Sequence, residues 1–228
     1  MKILVLGGCG YIGSILVQRL TKNKKNKIIV YDIQWFGNYL KESNNLKIIK
    51  GDIRNIPEKI FREVDTVIHL ANIANDPGVE LNHNLSWEVN VLSTLDIINK
   101  SIKNGVKKFI FSSSGSVYGI KKEKNVTEKL SLVPISTYNK TKMIAERVLL
   151  SFKNKIKIFS IRPATVCGFS PRMRLDVSVN NLTFQAIKKK EIVVFGGKQI
   201  RPNIHIVDLC RIFEHIISKE SISPGIYN

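Results

Sequence analysis

The N-terminal stretch Lys2-Ile-Leu-Val-Leu-Gly-Gly-Cys-Gly-Tyr-Ile-Gly13 decides how the rest of this chain is interpreted. Its apolar first half predicts a short strand that is buried on both faces. The glycines at Gly7, Gly10 and Gly13 then follow in the pattern Gly-x-x-Gly-x-x-Gly. Glycine lets a backbone turn with positive φ and approach an anion closely. We therefore predict a pyrophosphate-binding turn between this strand and a helix that begins near Tyr11.

The alternation of short apolar runs and helical stretches continues through the first two-thirds of the chain. Strands are predicted at residues 2–6, 27–32, 46–50, 65–70, 107–112, 157–161, near 192–195 and from 225. Helices are predicted at residues 11–23, 80–103, 137–152, 178–190 and 207–219. Strand–helix alternation favours an α/β fold with a doubly wound parallel sheet.

The strand–helix pattern loosens after Pro163, which suggests a division of the chain. We predict a nucleotide-binding domain with the catalytic residues over 1–165, and a smaller substrate lobe with returning core elements over 166–228. Because the last residues read as the beginning of a core strand, we expect a truncated lobe. No apolar run reaches the roughly 20 residues that a membrane span needs. The three cysteines lack metal-like spacing and fit reduced thiols, so we expect a cytoplasmic protein.

The net charge of +18 is the one property that would favour a nucleic-acid partner. The lysines, however, form short clusters at predicted helix ends and loops, without the interleaved aromatic residues that stack on bases. We therefore interpret them as solvated faces and predict no nucleic-acid or membrane partner. A positive field would favour anionic substrates such as sugar nucleotides.

Two aspartates follow predicted strands. Asp32 ends the second strand, where a carboxylate can accept hydrogen bonds from the adenosine ribose, and no basic residue at 33–36 would receive a 2′-phosphate. This favours NAD over NADP. Asp52 and Ile53 follow the third strand and would lie beside the adenine, although Asp52 could equally form an Asx turn. The four histidines lack ligand spacing, so we predict no metal site, and we expect His69 and His205 to be packed residues.

Tyr138 and Lys142 are four residues apart, which places both on one face of a helix. A tyrosine with an ordinary pKa near 10 is a poor base at neutral pH. A lysine ammonium one turn away, together with a bound nicotinamide ring, can lower the tyrosine pKa by about 3 units. Tyr138 could then act as a general base that accepts a proton from a hydroxyl group.

Seven motifs in this order carry a resemblance to a known family. They are Gly7-Gly-Cys-Gly-Tyr-Ile-Gly13, Gly51-Asp-Ile-Arg54, His69-Leu-Ala71, Asn90-Val-x-x-Thr94, Ser112-Ser-Ser-Gly-Ser-Val-Tyr-Gly119, Tyr138-x-x-x-Lys142 and Arg162-Pro-Ala-Thr165. The chain resembles extended short-chain dehydrogenases/reductases of the NAD-dependent epimerase/dehydratase family, which have a Rossmann fold and act on nucleotide sugars. The resemblance implies NAD as cofactor, with further contacts from Tyr11, Ile12, Leu70, Ala71, Asn90 and Pro163.

The resemblance also implies roles for residues around the reacting sugar. Ser114 would hydrogen-bond the reacting oxygen, and Asn181, Leu182 and Arg201 would bind the substrate. Arg172 and Arg174 could meet the pyrophosphate, or form a surface loop paired to Asp176. The family's dehydratases carry an Asp-Glu pair where this chain has Ser114-Gly115-Ser116. We therefore expect 4-epimerisation, with a net dehydrogenase or dehydratase, or an incomplete NAD-binding fragment, as alternatives.

Helices 80–103 and 137–152 resemble those that form a four-helix dimer contact in this family. We therefore expect a homodimer.

Overall fold

The computed structural model describes residues 1–74 and 76–228. Its strands are β1 (Lys2–Leu6), β2 (Lys27–Asp32), β3 (Leu46–Lys50), β4 (Thr66–His69), β5 (Lys108–Ser112), β6 (Lys157–Ile161), β7 (Thr165–Cys167), β8 (Asn203–His205) and β9 (Gly225–Tyr227). Its α-helices are α1 (Tyr11–Leu20), α2 (Asp76–Glu80), α3 (His83–Trp87), α4 (Ser93–Lys103), α5 (Thr137–Leu150), α6 (Ser178–Lys189) and α7 (Ile206–Ser218).

Seven strands form one parallel sheet in the order β3-β2-β1-β4-β5-β6-β9, and β7 pairs with β8 in a separate two-stranded sheet. The strand order reverses between β1 and β4, so a crevice opens there at the carboxyl ends of the strands. The predicted α/β fold with a doubly wound parallel sheet is confirmed. Each loop that leaves a carboxyl end at this crevice is therefore a candidate for ligand contact.

Helices cover both faces of the sheet because its central strands are apolar at almost every position. On one face α1 and α7 pack together, and an ion pair between Arg19 and Glu214 joins them at 2.7 Å. On the other face α4 and α5 pack on the sheet, with Ile97 and Leu149 fully buried. On this second face α5, which carries Tyr138 and Lys142, packs against β5 and β6.

Two element predictions were wrong, and two short strands were missed. The helix expected over 80–103 is broken after α2, because the Asn82 side chain caps α3 by accepting a hydrogen bond from the Leu85 amide at 2.9 Å. A π-helical turn at Glu88–Leu92 then joins α3 to α4. No strand forms near Ile192, where the described chain is exposed and Phe195 is 86% accessible. The three-residue strands β7 and β8 were missed because they are too short for a recognisable period.

The division at residue 165 stays a prediction. Strand β9 joins the main sheet beside β6, and α7 packs against α1. Across residues 1–74 and 76–228, no helix is both long and apolar enough to cross a membrane.

Candidate functional site

The glycine loop between β1 and α1 is shaped by close backbone approaches. Gly7 has a φ of +81°, and a Cβ there would lie 2.5 Å from the Ala71 nitrogen. A Cβ at Gly13 would lie 2.5 Å from the Gly7 carbonyl oxygen. Helix α1 begins at Tyr11 after Gly10, and no side chain caps it. The loop therefore fits a pyrophosphate, which would receive the free N–H groups at the start of α1.

Asp32 lies at the end of β2 beside this loop. Its carboxylate accepts hydrogen bonds from the Cys9 amide at 2.9 Å and the Gln34 amide at 2.6 Å. Burial raises the pKa of Asp32 although both amide bonds lower it. The glycine loop and the predicted ribose carboxylate are thus joined directly, at the edge where an adenosine would lie.

Asp52 forms the Asx turn that the sequence left open. Its carboxylate accepts a hydrogen bond from the Arg54 amide at 2.9 Å and pairs with the Arg54 guanidinium at 2.6 Å. The hydrogen bond from that guanidinium lowers the pKa of Asp52. Ile53 is buried in the core.

The other predicted cofactor residues lie at the ends of β4 and β6. The amides of Leu70 and Ala71 both donate to the Leu6 carbonyl at 2.9 Å. Pro163 accepts a hydrogen bond from the Gly115 amide at 2.9 Å. These contacts join the loop after β4 to the end of β1, and the loop after β5 to the loop after β6, at the carboxyl ends of the strands.

Asn90 forms its hydrogen bonds with other residues of the protein interior. Its side chain accepts a hydrogen bond from the Ile73 amide at 2.9 Å and donates to the Thr141 hydroxyl at 3.0 Å. It therefore braces the loop after β4 against α5, the helix that carries the candidate catalytic pair.

Ser114 and Tyr138 lie together at the carboxyl end of β5. The Ser114 hydroxyl is 2.7 Å from the Ser116 hydroxyl, and the Ser114 side chain lies close enough to the Tyr138 phenol to lower its pKa. Burial raises the pKa of Tyr138, and the charge of Arg174 and the Ser114 side chain only partly oppose it. The sequence predicts that Lys142 and a bound nicotinamide ring together lower this pKa. That combined effect stays a prediction, and in the chain by itself burial has the larger effect.

Lys142 lies beneath the pair and is 3% exposed. Its Nζ donates to the Ser112 carbonyl at 2.7 Å and lies 4.8 Å from the centre of the Phe111 ring. Burial lowers its pKa to about 7. Burial among apolar groups disfavours the charged form of this side chain.

The predicted substrate residues are only partly gathered. Asn181 and Leu182 are half-buried in the first turns of α6, and the side-chain oxygen of Asn181 accepts a hydrogen bond from the Gln185 side chain at 3.0 Å. Arg201 is exposed in the segment before β8.

The two arginines of the 170–176 segment differ. Arg174 pairs with Asp176, with Nε–Oδ1 at 3.0 Å, which matches the alternative of an internally paired loop, yet its charge still reaches Tyr138. Arg172 instead stacks on the Phe36 ring at 3.8 Å.

Sequence reasoning missed two buried polar groups and misplaced one histidine. Asn180 is 5% exposed and hydrogen-bonds the Tyr11 phenol at 3.1 Å. Arg162 and Glu146 form an ion pair in the core, and Glu146 lies one turn beyond Lys142 on α5. The repeat of polar residues at 138, 142 and 146 could have signalled the second group. His69 is buried as expected, whereas His205 is exposed and caps α7.

The family model that matches this chain is the NAD dependent epimerase/dehydratase family, over residues 3–228. Because this match spans nearly the whole sequence, the chain belongs to that family. The expected family and its dependence on NAD are confirmed.

The relatives are nucleotide-sugar enzymes. An uncharacterized UDP-glucose epimerase from Bacillus subtilis is 32% identical over 96% of this chain and 73% of its own length. A UDP-glucose 4-epimerase from Lactobacillus helveticus is 33% identical over 75% of this chain and 53% of its own length.

A similar solved structure is the UDP-N-acetylglucosamine 4-epimerase from Methanobrevibacter ruminantium, with a TM-score of 0.88 and 29% identity over all of this chain and 76% of that one. A UDP-glucuronic acid 4-epimerase from Bacillus cereus, in complex with UDP-glucuronic acid and NAD, has a TM-score of 0.86 and 29% identity over all of this chain and 76% of that one. The chain thus spans about half to three quarters of these relatives.

Proposed function

We propose that this chain is the NAD-binding and catalytic part of a nucleotide-sugar 4-epimerase. The observation that carries the proposal is the contact of Ser114 with Tyr138, above Lys142, at the same crevice as the glycine loop. Relatives named as 4-epimerases, which match most of this chain, support the reaction type. The segment from Ser114 to Ser116 lacks the acidic pair of the family's dehydratases, which favours epimerisation over dehydration.

The residues of the crevice fit NAD. The glycine loop leaves room for a pyrophosphate, and Asp32 offers a carboxylate to ribose hydroxyls while repelling a 2′-phosphate. Leu70, Ala71 and Pro163 line the loops between these two ends. When bound, NAD supplies a hydride acceptor and a positive ring, whose charge favours the phenolate.

The chain's own residues manage the proton. Tyr138 removes the proton from the sugar hydroxyl at C4 as the C4–H bond breaks, and returns it when the sugar is reduced on its other face. Ser114 donates a hydrogen bond to the reacting oxygen and steadies its developing charge. Lys142 would hold the nicotinamide ribose when NAD is bound. Because burial raises the pKa of Tyr138 in the chain alone, the positive charge of bound NAD would favour proton removal.

The substrate is held by α6 and by the segment 170–176, which we call the arginine loop. Asn181 and Leu182 contribute the half-buried start of α6, and Arg174 places its charge near Tyr138. A guanidinium suits a diphosphate because its N–H groups form paired hydrogen bonds. Arg201 is exposed, so its predicted role requires the 190–202 segment to approach the site.

The test is interconversion of UDP-glucose and UDP-galactose, followed by chromatography of the nucleotide sugars, with Tyr138→Phe as the decisive variant. We expect turnover to fall by about 10²- to 10⁴-fold in Tyr138→Phe with NAD still bound. Tyr39→Phe, at an exposed tyrosine, is the matched control and should be unaffected. Undiminished turnover in Tyr138→Phe would refute the proposed base, and stoichiometric release of NADH would select the dehydrogenase instead.

We also propose a homodimer built on α4 and α5. Leu92, at the end of the π turn, is 59% exposed, and Leu95 on the next turn is also exposed, which leaves an apolar surface beside α5. Burying such side chains against a second copy is favourable. Light scattering should show a dimer that Leu92→Lys dissociates, and a monomer at all concentrations would contradict this assembly.

A further inference from the structure

The tyrosine of the glycine loop is bonded into the substrate lobe. The Tyr11 hydroxyl donates to the Gly168 carbonyl at 2.7 Å and accepts a hydrogen bond from the Asn180 amide at 3.1 Å. The Ser170 hydroxyl donates to the Tyr11 carbonyl at 2.8 Å. Tyr11 is 5% exposed and Ser170 is fully buried. Three hydrogen bonds therefore join residues more than 150 positions apart in the sequence.

Asn180 is the central residue of this connection. Its carbonyl accepts a hydrogen bond from the Gly168 amide at 2.9 Å, and its amide also donates to the Arg174 carbonyl at 2.9 Å. Both ends of a buried side chain are thus satisfied by partners that the fold must bring together. Because a buried amide is costly when a partner is lost, this arrangement has one preferred geometry.

The two ends of the connection belong to the two ligands of the proposed reaction. Tyr11 is the first residue of α1, directly after the loop that fits the pyrophosphate. Asn180 precedes Asn181 on α6 and fixes the backbone of Arg174. Burial raises the pKa of the Tyr11 and Tyr138 phenols, and the positive charge of Arg174 lowers both. The arginine loop is therefore close to both phenols.

We infer that Tyr11 and Asn180 are positioning residues that couple the binding of NAD to the binding of the sugar nucleotide. This inference rests on the proposed function of the crevice. A pyrophosphate on the α1 amides fixes Tyr11, and Tyr11 holds Asn180 and the Arg174 backbone in place. The second ligand then meets a segment that is already ordered, so it binds more tightly. By linkage, the sugar nucleotide tightens NAD by the same factor.

The test measures this coupling by calorimetry, with UDP titrated into the chain with and without saturating NAD. In the unaltered chain we expect NAD to tighten UDP binding by at least about fivefold. Tyr11→Phe removes only the hydroxyl and should reduce this factor below about twofold. Asn180→Ala should do the same, and the double variant should lose nothing further, since the coupling passes through the contact that the two side chains share.

Tyr227→Phe is the matched control, because its hydroxyl donates only to the nearby Ser223 carbonyl. It should keep the full coupling factor. Equal weakening of UDP binding with and without NAD in Tyr11→Phe would indicate a merely structural contact and overturn the inference. Independent binding of NAD and UDP by the unaltered chain would overturn it alone. Failure to bind NAD at all would overturn the proposed function and the inference together.

Discussion

Replacing Lys142 by methionine should stabilise the chain while it abolishes activity. The ammonium is buried among apolar groups with a hydrogen bond to the Ser112 carbonyl, and burial lowers its pKa from 10.5 to about 7. Each unit of pKa corresponds to about 1.36 kcal/mol, so keeping this group charged in the fold costs on the order of 5 kcal/mol. Methionine has a similar shape and no charge. The lost hydrogen bond offsets about 1 kcal/mol of the gain.

The pH dependence gives this prediction its sign. The unfolded lysine holds its proton up to about pH 10.5, whereas the folded one loses it near pH 7. Between these values the unfolded state binds more protons, so the stability of the unaltered chain rises with pH. The advantage of Lys142→Met should therefore be largest below pH 7 and shrink by up to about 1.4 kcal/mol per pH unit above it.

The assay is urea unfolding of nucleotide-free protein between pH 6 and pH 10. Lys140→Met removes an exposed positive charge from the same helix, and thus controls for the general effect of net charge. We expect that control to follow the unaltered chain. A Lys142→Met variant that is less stable at pH 6, or whose advantage does not change with pH, would refute the argument from burial.

Three further predictions concern the supporting structure. Gly7→Ala should lower the free energy of unfolding several times more than Gly105→Ala does. Both glycines have positive φ, but only Gly7 faces backbone within 3 Å. A positive φ alone costs about 1–2 kcal/mol. Arg162→Met should cost about 3–5 kcal/mol in urea unfolding, since it leaves the Glu146 carboxylate buried without its partner. Asp32→Ser should weaken NAD binding about tenfold in calorimetry and reduce the preference for NAD over NADP, because the carboxylate serves the ribose.

Each of these has an opposing outcome. Equal losses at Gly7 and Gly105 would mean that the close approach at the loop is unimportant. Arg211→Met, in an exposed pair with Asp208, is the control for the buried pair and should cost less than about 1 kcal/mol. A buried-pair variant that costs no more than this control would contradict the assigned role of that pair. An unchanged NAD:NADP ratio in the Asp32 variant would exclude it from cofactor choice.

The main sheet could be predicted closely because its strands are continuous apolar runs between helices. Strands β1, β2, β3 and β6 have the predicted bounds to the residue. The short β7 and β8 depend on pairing with each other, which no local pattern reveals. The break before α3 depends on a single capping side chain, Asn82, inside a stretch that otherwise has helical composition.

The candidate site could be predicted where motifs fix local geometry and not where distant segments meet. The spacing of Tyr138 and Lys142 places them on one helix face whatever surrounds them. The direction of the pKa of Tyr138 depends on burial, which is a property of the whole fold. The role of Asn180 requires a contact with Tyr11, 169 residues away, and nothing in either local sequence indicates it.

The buried pair of Arg162 and Glu146 has a consequence for how α5 is aimed. Tyr138, Lys142 and Glu146 lie on successive turns of one face of α5. The ion pair between Glu146 and Arg162 therefore fixes the rotation of the helix that carries the phenol. If this ion pair were lost, a small rotation of α5 would move the tyrosine oxygen away from the reacting sugar. Substitutions of Arg162 or Glu146 would therefore slow turnover although neither side chain contacts a ligand. A screen for inactive variants would recover them at positions that take no part in the chemistry.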